Sequence, residues 1–143
     1  MGIPKLGSQG ILPRGIHRAT IAEVRQAFGG GTARRVELML ALEEAADRAR
    51  KAGVKRILIN GSFVTTKKEP RDVDLVFLVS ESFEAHLRRG DPHARWIADQ
   101  VRERRPKLLD AYVAVDGEEW ASWARLFEGD PWYGKKGLVE VTL

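Results

Sequence analysis

The sequence predicts a single α/β (α+β) domain, a sheet flanked by helices. Strand-length apolar runs at 54–59, 73–79 and 108–115 alternate with stretches of helical period. Gly, Pro and capping residues punctuate those stretches where helices should start and stop. No repeat, low-complexity tract or linker divides the chain, and 143 residues suffice for one core and little more.

In order along the chain, residues 1–19 are rich in Gly, Pro and Ser and read as an irregular N-terminal arm, with Ile11, Leu12 and Ile16 lying against the body of the domain formed by 20–143. Thr20 and Glu23 form a capping box that opens a short helix to about Phe28, stopped by Gly29-Gly30-Gly31. Thr32 caps a longer helix to about Ala52, where Gly53 ends it. Leu38, Leu42, Ala45 and Ala49 recur on one side of that helix and predict its buried stripe. Residues 54–59 are the first apolar strand, ending at Gly61-Ser62, and 63–71 form a polar turn or one helical turn, closed by Pro70. Residues 73–79 are the second strand. Ser82 should cap a helix to about Arg89, and Gly90-Asp91-Pro92 should open another that ends before Pro106. A third strand at 108–115, a helix at 118–127 and a last strand at 137–143 complete the set.

Asp72 and Asp74 interrupt this apolar pattern. Alternation along an extended chain points both to the same side. Adjacent carboxylates repel and lose hydration unless a positive group sits between them. Magnesium, which takes oxygen ligands and is commonly held by carboxylates together with phosphates, answers that need. About ten residues upstream, Gly61 permits a tight turn with exposed backbone N–H groups, and Ser62 adds a hydroxyl. Both suit the outer phosphates of a nucleotide. Asp110 is the one acid inside the third apolar strand and is the candidate third metal ligand.

These residues resemble the polymerase-β-type nucleotidyltransferases, in particular the minimal members. Almost the whole chain also resembles an uncharacterised bacterial family assigned to that fold. That likeness rests on Leu12-Pro-Arg-Gly-Ile-His17-Arg-Ala-Thr20, Gly61-Ser-Phe-Val-Thr65, Pro70-Arg-Asp-Val-Asp74 and Lys136-Gly-Leu-Val139. The resemblance implies a nucleotidyltransferase-like mixed sheet with a nucleoside triphosphate such as ATP and one or two magnesium ions at one edge. Asp72, Asp74 and Asp110 would be the metal ligands and catalytic acids, and Gly61 and Ser62 the phosphate loop. A nucleoside monophosphate would pass to an acceptor hydroxyl, with Asp110 helping to deprotonate or orient it. Minimal members carry an arginine close behind the serine; here Phe63-Val-Thr-Thr66 stands there, leaving Lys67, Lys68 and Arg71 to supply positive charge. Small members of the superfamily also serve in toxin–antitoxin gene pairs. The competing expectation is therefore a weak or inactive nucleotidyltransferase fold that binds a protein partner, a toxin or an acceptor.

Plainer readings stand beside these. The acids could be solvated or paired with Arg71 or Lys68, and Lys67 and Lys68 could be an ordinary solvated loop. His17, His86 and His93 are too scattered for a zinc site. The basic run Arg102-Glu-Arg-Arg-Pro-Lys107 suits a helix C-terminus; nucleic-acid binding through it is allowed but not demanded by a net charge of +4. Trp120 and Trp123 should pack on the sheet, while Trp132-Tyr133 read as a loop open to a partner or base. With no cysteine, no signal-peptide core and no apolar run near about twenty residues, a cytoplasmic chain without a membrane span is expected.

Overall fold

The computed structural model describes residues 2–103, 107–115, 117–129 and 136–143. Strands β1 (Ile16–Ala19), β2 (Arg56–Asn60), β3 (Val73–Val79), β4 (Leu109–Val115) and β5 (Leu138–Thr142) form one mixed sheet in the order β1-β5-β2-β3-β4. β1 runs parallel to β5 and β3 parallel to β4, while β2 is antiparallel to both its neighbours. The helices are α1 (Ile21–Phe28), α2 (Ala33–Lys51), α3 (Glu81–Arg88), α4 (Pro92–Arg102) and α5 (Glu118–Gly129). The expected single mixed α+β domain is the observed one.

The two sides of the sheet differ. Ile57, Ile59, Val73, Leu75, Phe77 and Val79 enter the main core with Val24 and Phe28 of α1, Leu38, Leu42 and Ala45 of α2, Phe83 of α3, and Ala94 and Ile97 of α4. Side chains of the opposite parity, Leu58, Val76, Leu78, Ala114 and Leu138, form a smaller cluster under Trp120 of α5. Trp123 packs its ring against Tyr112 at a centroid distance of 5.2 Å. Trp120 and Trp123 thus lie on the sheet as their helical spacing predicts.

Local chemistry accounts for the helix limits. Thr20 Oγ1 accepts from the Glu23 N–H at 3.1 Å and Glu23 returns a carboxylate to the Thr20 N–H at 2.9 Å, completing the capping box. Thr32 caps α2 by accepting from the Arg35 N–H. At the other end Gly53, with φ of +80°, donates to the Arg50 carbonyl, and Val54 donates to Ala49. This is the left-handed glycine cap. It claims Val54 for the helix end, so β2 begins at Arg56 rather than at 54.

Two further limits differ from expectation. Residues 16–19 are not irregular but form the edge strand β1, which exists only because β5, more than a hundred residues away, offers a parallel partner. Leu12 is buried as expected, whereas Ile16 stays 36% exposed. Helix α3 starts after Ser80, not at Ser82. Glu81 and Glu84 favour the positive end of its first turn, and Ser82 is packed beside Gly53. No described helix is long and apolar enough to cross a membrane.

Candidate metal centre

The C-terminal end of β2 and the N-terminal ends of β3 and β4 meet at one end of the sheet. Strand register places Asn60 opposite Asp74 and Asp74 beside Asp110, so these three form a row across neighbouring strands. All three fall on the α5 side, and together with Tyr112 and Trp123 they line a cavity of about 200 Å³. Asp72 lies one residue before β3 and joins the row from the loop. Carboxylate oxygens of Asp72, Asp74 and Asp110 lie within 4.8 Å of one another, and such a group could hold a metal ion.

The electrostatics of the site are poorly balanced. Burial, followed by repulsion from Asp72 and Asp110 and a hydrogen bond with Asp110, pushes the Asp74 carboxyl up to about 7. Burial also raises Asp72, with Asp110 adding to the effect; Arg71, Arg34 and Lys67 pull it back. Convergent half-buried carboxylates of this kind suit a hard cation with oxygen ligands.

Gly61 is demanded twice over. Its φ of +81° and ψ of −164° belong to a region that essentially only glycine occupies. A Cβ there would also stand 2.0 Å from Asp74 Oδ2, so the bare backbone lies directly against the aspartate. Ser62 opens a single 3-10 turn, Ser62–Val64, and its carbonyl accepts from Thr65 Oγ1 at 2.6 Å.

The loop from there to Asp72 is held by two consecutive arginines of α2. Arg35 is only 6% exposed. Its guanidinium donates to the carbonyls of Phe28 at 2.9 Å, Phe63 at 2.8 Å, Thr65 at 2.6 Å and Lys67 at 2.5 Å. Arg34 donates to the Pro70 carbonyl at 3.2 Å and also to that of Arg71, immediately before Asp72. The arm closes the loop from outside, where Ile11 bridges Thr65 and the Thr66 N–H donates to Gly10 at 3.0 Å.

The residues singled out in the sequence therefore separate into groups. Asp72, Asp74, Asp110 and Gly61 come together, and Lys67 acts on Asp72 through its charge. Lys68 lines a different cavity, of about 420 Å³, with Thr32, Arg35 and Thr65. His17 donates from Nε2 to the Pro13 carbonyl at 2.7 Å, on the far edge strand. His86 contacts Asp91 at 2.6 Å. Trp132, Tyr133 and the middle of the basic run 102–107 lie outside the described residues. Asn60, Arg34 and Arg35 were not singled out in the sequence. A charge continuing the buried stripe of α2 marks Arg35, and a polar residue ending the apolar run of β2 marks Asn60.

Over residues 4–142 the chain matches the model of a family of unknown function, DUF6932, and it belongs to that family. No curated protein and no solved structure gives a significant match.

Proposed function

We propose that this chain is a magnesium-dependent nucleotidyltransferase that moves a nucleoside monophosphate from a nucleoside triphosphate to a hydroxyl acceptor. The observation that carries the reading is the convergence of Asp72, Asp74 and Asp110 within 4.8 Å at a sheet end where the Gly61 backbone abuts Asp74. Asp72, Asp74 and Asp110 would hold the cation. Magnesium, when bound, supplies neutralisation of phosphate charge and a lowered pKa for the attacking hydroxyl.

The chain's own groups do the rest. Backbone N–H groups around Gly61 and Ser62 bind the outer phosphates, and Lys67 contributes positive charge on the Asp72 side. The pinned loop keeps Asp72 in place without reorganisation. The acceptor oxygen forms a bond to the α-phosphorus, the bond from that phosphorus to the bridging oxygen breaks, and pyrophosphate leaves with the electron pair. Asp110 receives the hydroxyl proton.

The test uses each of the four triphosphates labelled at the α-phosphate, with magnesium and with protein, RNA and small polyol acceptors in turn. Label transfer with release of pyrophosphate, abolished in a folded Asp72→Asn variant, supports the reading; unchanged transfer in that variant rejects it.

A second reading, a binding module for a protein partner in a two-gene toxin–antitoxin pair, has one observation in its favour. Val36 and Leu40 are 46% and 58% exposed on α2. They line an apolar groove of about 480 Å³ with Ala33, Ala41 and Leu108, flanked by Glu37 and Glu44. This reading requires that the product of an adjacent gene bind the chain and that Leu40→Glu abolish the complex. A neighbour that fails to bind removes it.

A further inference from the structure

Asn60 is the one residue of the row across β2, β3 and β4 that the proposed chemistry has not used. It is 3% exposed, and its Oδ1 is buried with no hydrogen-bond partner among the described residues. An unpaired buried amide oxygen is costly, so its presence needs an explanation. Apolar packing does not require it, because Leu58 two residues earlier on the same face is a fully buried hydrocarbon. Nor does it end the strand by capping the turn, since Gly61 and Ser62 enter the 3-10 turn with no side-chain cap.

Its position explains it better. Asn60 is the direct cross-strand partner of Asp74, which in turn is paired with Asp110. Side chains directly opposite on adjacent strands have Cβ atoms about 4.5–5.5 Å apart, so the amide stands beside the carboxylate. Asn60, Asp74 and Asp110 share one cavity. The unpaired atom is an acceptor in the cavity that the carboxylates line. Only a donor or a cation can satisfy it there, and amide carbonyl oxygens are ordinary ligands of hard divalent cations.

We infer that Asn60 is a cation-positioning residue whose amide oxygen joins the carboxylates of Asp72, Asp74 and Asp110 in the cage that takes a divalent metal. This inference rests on the metal-site reading above. It assigns the site a neutral fourth oxygen, which adds a ligand without adding to the repulsion among three acids.

The experiment titrates the full chain with Mn2+ alone, an oxygen-seeking stand-in for Mg2+ whose free form is counted by electron paramagnetic resonance. Wild type, Asn60→Ala, Asn60→Asp and Asp72→Asn are compared, each with its metal-free melting curve. The expected result is Mn2+ affinity about tenfold weaker in Asn60→Ala, with metal-free melting no lower than wild type because the orphaned acceptor is gone. Asn60→Asp, which keeps the shape and an oxygen, should bind at least as tightly as wild type. A merely structural amide would give the reverse pattern, lowered melting with unchanged affinity.

Equal affinity in wild type and Asn60→Ala overturns the role of Asn60 and leaves the metal site standing. Absence of Mn2+ binding in wild type overturns both. If Asn60→Ala does not fold, Asn60→Asp decides: weaker binding than wild type overturns the inference, and retained or tighter binding supports it.

Discussion

Arg35 and the group Asp72, Asp74 and Asp110 both carry charge into the protein, and the fold treats them in opposite ways. Arg35 is almost wholly buried, yet carbonyl oxygens from Phe28, Phe63, Thr65 and Lys67 occupy its donors. The aspartates are only half-buried, yet they face each other, and Asp74 holds its proton up to about pH 7. A charge kept for architecture is surrounded by complementary groups. Carboxylates crowded together as these are could hold a cation. The first supports the second, since three of the carbonyls that satisfy Arg35, those of Phe63, Thr65 and Lys67, belong to the loop that delivers Asp72.

Breaking the satisfied side should have the largest effect. Arg35→Ala strands four backbone carbonyls and should cost at least about 3 kcal/mol, read as a lowered urea midpoint. Arg35→Lys should recover little of this, because an ammonium cannot reach carbonyls spread across a fork. A loss below about 1 kcal/mol would show that the loop does not depend on the arginine.

Gly61→Ala comes next. It forces a residue with a side chain into a glycine-only conformation and drives its Cβ against Asp74 Oδ2. A loss of about 2–3 kcal/mol in denaturant is expected, with Mn2+ binding lost beyond what the stability change explains. Wild-type affinity in a folded Gly61→Ala protein would separate the glycine from the site.

The crowded acids should respond with the opposite sign. Because the folded carboxyl of Asp74 titrates above an unfolded aspartate, the folded state binds the proton more tightly. Metal-free stability then falls as pH rises from about 4 to about 7. Asp74→Asn should therefore be more stable than wild type at pH 8, by about 1–2 kcal/mol after solvent screening. The gap should close below about pH 4, where the unfolded aspartate also takes up its proton. Denaturant midpoints across that range would measure it, and an Asp74→Asn protein less stable than wild type at pH 8 would show that the acids are already compensated.

The contrast also explains what could be read in advance. Asp72, Asp74 and Asp110 stood out because a charge inside an apolar strand run is anomalous in one dimension, and period-two alternation gives its side. The long helix, its stripe and the glycine after it were legible because their signals are local. Strand β1 was not, since four residues of which only Ala19 is buried become a strand only beside β5, a partner that local periodicity cannot indicate. Arg35 continues the line of the buried stripe, yet its burial follows from a loop folding back over it about thirty residues later. Asn60 needed the β2–β3 register, without which nothing ties it to Asp74. Lys67 and Lys68 look alike in sequence, and only the path of the loop sends one toward Asp72 and the other to a separate cavity.

The most direct test of the account is thermal melting of the full chain with each of the four nucleoside triphosphates, with and without magnesium, for wild type and Asp72→Asn. At about a hundred times its Kd a ligand adds about 2.7 kcal/mol, which a melting curve resolves readily. The expected result is a rise for wild type that requires metal and triphosphate together and disappears in Asp72→Asn. No rise with any triphosphate, or an equal rise in the variant, would contradict it.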